Sequence, residues 1–110
     1  MSKWELLDDD CMQYRKWDGF LFDFIQIELT SKDKYAVISN IVDTRDITYS
    51  DKSDLRNIYG LEDENIDDIP KWYFAEMYFE TYCRDSCTIH AIFDDFKQAE
   101  AFILDYIKNN

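Results

Sequence analysis

The chain has 110 residues, of which 24 are acidic and 12 are basic, so its formal net charge at pH 7 is −12. A hydrophobic fraction of 46% and an aromatic fraction of 17% are too high for a disordered chain and indicate one packed domain over residues 1–110. Its longest apolar runs, such as residues 72–75, fall far short of the roughly 20 residues that span a bilayer, and we expect no secretory signal. Direct binding to nucleic acid or to an anionic membrane is disfavoured, because both need positive charge.

Two strands are predicted in the first half of the chain. Residues 20–30 alternate in hydrophobicity, which is typical of a strand. Its more apolar face carries Leu21, Ile25, Ile27 and Leu29. The turn signal Asp18-Gly19 makes residues 4–7 or residues 13–17 a plausible hairpin partner. After a polar turn, residues 35–42 form a second β-branched and aromatic run, which predicts an antiparallel hairpin with the first.

The middle of the chain is charged and poor in large apolar residues. Residues 51–59 are predicted to form a short helix, with Ser50 as its N-cap and Gly60 as its left-handed stop. Residues 61–68 then place five carboxylates in eight positions, and Pro70 ends that stretch.

Residues 71–83 admit two interpretations. A strand would alternate Tyr73, Ala75, Met77 and Phe79 with Trp72, Phe74, Glu76, Tyr78 and Glu80. A helix would carry bulky aromatic side chains nearly all round, which requires burial on every side. The aromatic content and the polar turn at residues 84–86 favour a strand paired with residues 87–93, although the sequence leaves the helix open.

The C-terminal segment predicts an amphipathic helix, capped by Asp94 or Asp95 with Gln98 in the first turn. One face of that helix carries Phe96, Ala99, Phe102, Ile103, Tyr106 and Ile107. The predicted fold is therefore of the α+β class. It is an antiparallel sheet of four to six strands, with the C-terminal helix packed on one face and a short helix in the acidic middle segment.

Few residues indicate catalysis or metal binding. Cys83, Cys87 and His90 have a spacing that zinc sites use, and Cys11 would complete a set of four ligands. His90 falls inside a predicted strand, however, and no second pair of ligands exists. The chain has one His and no glycine-rich phosphate cradle, so we expect no enzyme and no cofactor. Three cysteines are too few for a disulfide scaffold and favour a reducing, cytoplasmic location.

A calcium loop is also disfavoured. Asp63, Asn65 and Asp67 have the spacing of the start of an EF-hand loop. Asp68 then stands where the loop needs Gly, and Phe74 stands where it needs a bidentate Glu.

The strongest signal is the acidic segment, which we define as residues 43–68. It contains nine acidic and three basic residues, a net charge of −6, which is half that of the chain. Repulsion among such clustered carboxylates destabilises a fold, which suggests that the cluster is used in binding. Trp72, just beyond the acidic segment, is a candidate aromatic anchor for a partner. The predicted partner-binding residues are Asp43, Asp46, Asp51, Asp54, Glu62, Asp63, Glu64, Asp67, Asp68 and Trp72.

This surface predicts a small acidic binding protein that inhibits a basic nucleic-acid-handling protein by occupying its nucleic-acid site. Proteins that bind DNA line their grooves with Lys and Arg, which an acidic DNA mimic can block. A phage or mobile-element anti-defence protein, such as an anti-CRISPR inhibitor of a nuclease or CRISPR effector, fits this prediction. An immunity protein that neutralises a bacterial toxin is the alternative. A small enzyme or zinc-dependent regulator using Cys83, Cys87 and His90 is the third.

Overall fold

The structure, a computed structural model, describes residues 4–110 apart from the side chain of Arg84. Within these residues, five strands form one antiparallel sheet whose spatial order follows the chain order. The strands are β1 (Glu5–Asp8), β2 (Gln13–Asp18), β3 (Leu21–Leu29), β4 (Tyr35–Asp43) and β5 (Thr88–Phe93). The helices are α1 (Tyr49–Ile58), α2 (Lys71–Tyr78) and α3 (Phe96–Asn109). The predicted α+β class, number of strands and C-terminal helix are confirmed.

Both predicted hairpins are present. β2 and β3 are joined by Gly19 and Phe20, and Gly19 has a φ of +60°. A positive φ at the first residue of a two-residue loop is what a type II′ hairpin turn needs, and glycine adopts it without strain. β3 and β4 then pair along their whole length, with Leu29 opposite Tyr35 at the turn end.

The sheet is the middle layer of three, because β3 is buried on both faces. One face packs against α1 and α2 through Phe22, Phe24, Val42, Ile47, Leu55, Ile66, Phe74, Ala75, Met77 and Phe79. The opposite face packs against α3 through Met12, Ile25, Ile27, Val37, Ala99 and Ile103. α1 and α2 both belong to the connection between β4 and β5, which we call the connecting layer (residues 44–87).

The strand that the sequence favoured for residues 71–83 is wrong. These residues form α2 and a following π-helical turn, Phe79–Cys83, and β5 pairs with β4 instead. The helix had been disfavoured because aromatic side chains all round it would need burial on every side. In the structure, Phe74 and Met77 face the sheet, whereas Trp72 and Tyr73 are 36% and 37% exposed. Amphipathic aromatic rings tolerate that exposure, and these two stack on each other at 5.5 Å.

The short helix in the acidic segment is confirmed, but its N-cap is Thr48 and not Ser50. The Thr48 side chain accepts a hydrogen bond from the Asp51 backbone N–H, and the Asp51 carboxylate accepts one from the Thr48 N–H, each at 3.0 Å. This is a capping box, so the helix starts one residue before the predicted cap. Gly60 ends it as predicted, with a φ of +70° and a Leu61 N–H to Arg56 carbonyl bond of 2.8 Å.

Replacing Thr48 with alanine should lower the free energy of unfolding by about 1 kcal/mol, because it leaves an N-terminal N–H of α1 without its acceptor. Ser50→Ala is the matched control and should change the free energy of unfolding by less than about 0.5 kcal/mol. Urea unfolding followed by circular dichroism measures both. An equal loss in the two variants would contradict the observed cap.

The C-terminal helix matches its prediction closely. Asp95 is its N-cap and accepts a hydrogen bond from the Lys97 N–H at 3.2 Å. Ala99 and Ile103 are fully buried against the sheet. The rest of the predicted face packs around them: Phe96, Phe102, Tyr106 and Ile107. Between residues 4 and 110, no helix has both the length and the apolar character needed to cross a membrane.

Candidate functional site

The structure distributes the acids of the acidic segment over four places. Asp43 ends β4, Asp46 lies in the 3₁₀ turn after it, and Asp51 and Asp54 belong to α1. The other acids lie between α1 and α2, at Glu62, Asp63, Glu64, Asp67 and Asp68. Seven of the nine acids are exposed, and only Asp43 and Asp51 are partly covered.

Two of the nine acids have structural roles. Asp43 forms an ion pair with Arg45 at 2.7 Å, and the hydrogen bond from the Arg45 side chain lowers the pKa of its carboxyl. Asp51 is held in the capping box of α1. These carboxylates stabilise turns in their own chain, so they are less available to a partner than the others.

Three of the remaining acids come together around one depression, which we call the acidic depression. It has a volume of about 380 Å³ and lies between the start of α1 and the loop that precedes α2. Its lining consists of Tyr49, Arg56, Asp63, Glu64, Asn65, Ile66 and Asp67. Tyr49 is 73% exposed, so an unburied aromatic ring stands beside three carboxylates.

The basic side chains of the segment are engaged within the protein. Arg56 Nη1 donates to the Glu64 carbonyl oxygen at 2.9 Å and holds the loop to α1. The Lys52 ammonium lies 5.6 Å from the centre of the buried Phe74 ring, and Arg45 is held by Asp43. Among the described residues, the Arg45–Asp43 pair is the only ion pair that involves an acid of this segment. None of the three carboxylates of the depression takes part in these ion pairs, and Arg56 is the one cation among the lining residues.

Trp72 lies outside the acidic depression. Its ring stacks on Tyr73, and the Arg15 guanidinium carbon lies 4.6 Å from its ring centre. Trp72 lines a separate cleft with Arg15 and Trp17 of β2. The acidic depression and the cleft at Trp72 are therefore separate sites that share no lining residue.

The structure separates the residues of the zinc hypothesis. Cys83 and Cys87 pack against the cluster on the α1–α2 face of the sheet. His90 packs against Tyr106 of α3, with ring centres 5.1 Å apart, and its Nε2 lies 2.7 Å from the Ser39 hydroxyl oxygen. Burial raises the pKa of the Cys83 thiol, which disfavours the thiolate that a metal or a nucleophilic reaction requires.

Two acidic motifs have ligand types that suit a cation, and neither gives strong support for a metal site. In the stretch proposed as the start of a calcium loop, the Asn65 side chain accepts a hydrogen bond from the Asp67 N–H at 3.0 Å. Over residues 4–110, the one group of three ligand atoms close enough to hold an ion is Asp8, Asp9 and Asp10, in the exposed β1–β2 turn. This triplet is not among the residues predicted from the sequence, and such exposed acids are common without a metal.

Sequence reasoning also missed two residues that the fold makes unusual. Asp23 lies on β3 opposite Lys16, on the face that α3 covers, and burial raises the pKa of its carboxyl to about 6. Arg15 lies on β2 and meets Trp72 across the layers. The signal that could have identified them is their place in the strands. Asp23 is a charged residue on the otherwise apolar face of β3. Arg15 and Trp17 are two residues apart and therefore share one face of β2.

Comparison of the chain with protein-family models, with curated proteins and with solved structures gives no match in any of the three.

Proposed function

We propose that the protein is a binding protein that inhibits a basic nucleic-acid-handling partner by covering its nucleic-acid site. The observation that supports this most is the acidic depression. Asp63, Glu64 and Asp67 line it together, and none of them takes part in an ion pair among the described residues. A nucleic-acid groove presents Lys and Arg at close spacing, which is the chemistry that this surface complements.

The contact would combine charge with an aromatic ring. A lysine or arginine side chain of the partner, placed in the depression, would have carboxylates beside it and the exposed Tyr49 ring as a cation–π surface. Tyrosine is common at interface hot spots, and the surrounding acids Glu62 and Asp68 would form a polar rim. The long-range field of a chain with net charge −12 would accelerate the encounter with a basic partner, most strongly at low salt.

The proposed partner is a nuclease or a CRISPR effector, which makes the protein a candidate anti-defence inhibitor acting in the cytoplasm. The alternative of an immunity protein uses the same surface against a toxin nuclease. Both assignments rest on the class of surface, since no motif in the chain names a partner.

The test is a capture experiment with a charge-matched control. The unchanged protein should recover a basic nucleic-acid-binding partner from host lysate at about 50 mM salt. This recovery should fall at about 300 mM salt or when duplex DNA is added. The triple variant D63K/E64K/D67K should not recover the partner. The control variant D8K/D9K/D10K changes the net charge equally, at an exposed turn, and should retain the partner.

Two results would overturn the proposal. One is full recovery by D63K/E64K/D67K, which would show that the depression does not contact the partner. The other is an equal loss in both triple variants, which would show that total charge matters and the acidic depression does not. Thermal unfolding of each variant establishes that it is folded before capture.

A further inference from the structure

A second concave site has a different chemistry. It is a cleft of about 460 Å³ on the α1–α2 face of the sheet, between the β1–β2 edge and the first turn of α2. Its lining consists of Glu5, Arg15, Trp17, Phe22, Lys71 and Trp72. Small-molecule sites are typically about 300–1,000 Å³, apolar, and supplied with a few polar groups, which describes this cleft.

Aromatic rings form its apolar walls. Trp17 and Trp72 are 41% and 36% exposed, whereas Phe22 between them is buried. Trp17 packs edge-on against Phe22, with ring centres 4.9 Å apart, and this contact fixes one wall. The Trp72 ring already stacks on Tyr73 and has the Arg15 guanidinium over it, so the partly open Trp17 ring is the surface on which a planar ligand can stack.

The polar groups of the cleft are mainly cationic. Lys71 is exposed and is the first residue of α2, where the helix dipole adds positive potential. Arg15 Nε and Nη2 both donate to one Glu5 carboxylate oxygen, each at 3.4 Å, which is long for a charge-assisted hydrogen bond. An anionic group in the cleft would compete with Glu5 for these donors.

The surroundings extend this positive character. A smaller depression of about 150 Å³ shares Lys71 with the cleft and is lined by no carboxylate. It adds Arg45 and Lys52. Four of the 12 basic residues therefore lie around these two concave sites, in a chain that has twice as many acids as bases.

We propose that this cleft binds a small planar aromatic anion, a ring bearing a phosphate or carboxylate group. The ring would stack against Trp17 and lie beside Trp72, and the anionic group would accept hydrogen bonds from Lys71 and Arg15. This site is independent of the proposed inhibitor function, because none of its lining residues belongs to the acidic depression.

The test compares matched probes that carry the same ring. 1-Naphthyl phosphate and 1-naphthoate contain both features, 1-naphthol lacks the anion, and inorganic phosphate lacks the ring. In ¹⁵N-resolved titrations, at least one of the two anionic probes should shift the indole N–H signals of Trp17 and Trp72 saturably. The stronger of the two identifies the anionic group. Trp4 is an internal control, because it packs against Tyr106 of α3 on the opposite face.

A lysine variant tests the contribution of charge. Lys71→Gln should weaken binding of the anionic probe roughly tenfold, since it removes a charge-assisted hydrogen bond. Lys97→Gln, an exposed lysine at the start of α3, should leave the affinity unchanged.

Three results would overturn the proposal. They are no saturable shift at millimolar concentrations of either anionic probe, equal binding of 1-naphthol, and equal shifts at all three tryptophans. The second result would make the cleft an apolar patch without anion recognition, and the third would indicate non-specific association.

Discussion

Phe24→Ala should lower the free energy of unfolding by about 3–5 kcal/mol, the typical cost of removing a buried phenylalanine ring. Phe24 is 1% exposed, and its ring centre lies 4.5 Å from that of Phe22 and 5.1 Å from that of Phe79. These contacts hold the π-helical turn after α2 onto the sheet. Loss of the ring would leave a cavity between the sheet and the connecting layer. Because small domains are stable by only about 5–15 kcal/mol, the effect is a large fraction of the total.

The same substitution at an exposed position supplies the control. Phe20 is 51% exposed at the β2–β3 turn, so Phe20→Ala should change the free energy of unfolding by less than about 1 kcal/mol. Denaturant unfolding gives both values, and Phe24→Leu, with a smaller expected loss, serves if the alanine variant does not fold. Similar losses at Phe20 and Phe24 would contradict the observed packing.

Asp23→Asn should stabilise the protein at neutral pH. Burial raises the pKa of the Asp23 carboxyl from 3.8 to about 6, and the charge of Lys16 opposes that rise only in part. The full difference corresponds to about 3 kcal/mol, and we expect about 1–2 kcal/mol because the side chain is partly open to solvent. Asparagine keeps the shape of the side chain and removes the charge that the site disfavours.

The pH dependence has a definite sign. Between about pH 4 and pH 6, the folded protein binds more protons at Asp23 than the unfolded chain does, so stability falls as the pH rises through this window. The stabilising effect of Asp23→Asn should therefore be present at pH 7.5 and absent below about pH 4. Thermal unfolding across this range measures it. Asp18→Asn, which removes an exposed carboxylate at the end of β2, controls for net charge.

A benefit of Asp23→Asn that is equally large at pH 3.5 would contradict this explanation. It would show that the asparagine side chain improves packing or hydrogen bonding and that relief of a buried charge is not the cause.

Local patterns in the sequence predicted the parts of the fold that depend on neighbouring residues. The alternation in β3, the positive φ of Gly60 and the apolar face of α3 are each encoded within about 10 residues. α2 could not be assigned in that way, because its aromatic residues follow neither the 3.6-residue period of a helix nor the two-residue period of a strand clearly. Its helical state depends on the Phe22–Phe24 face of the sheet, which lies some 50 positions away in the chain.

The two candidate sites also differ in how far the sequence predicts them. The acidic depression could be anticipated in part, because Asp63, Glu64 and Asp67 are close in sequence, whereas the neighbouring Tyr49 could not. The cleft could not be anticipated, since Arg15 and Trp17 meet Lys71 and Trp72 only after the connecting layer folds onto β2.

The connecting layer is a segment of the chain that can be replaced without altering how the strands pair. Antiparallel neighbours such as β4 and β5 need only about two residues to join them, yet here residues 44–87 lie between them. Every residue of the acidic depression and one wall of the cleft are carried on this excess chain. The sheet and α3 therefore act as a scaffold that can accept a different insertion. For the proposed inhibitor, exchange of this segment alone would present a different surface, provided that the replacement still covers Phe22 and Phe24.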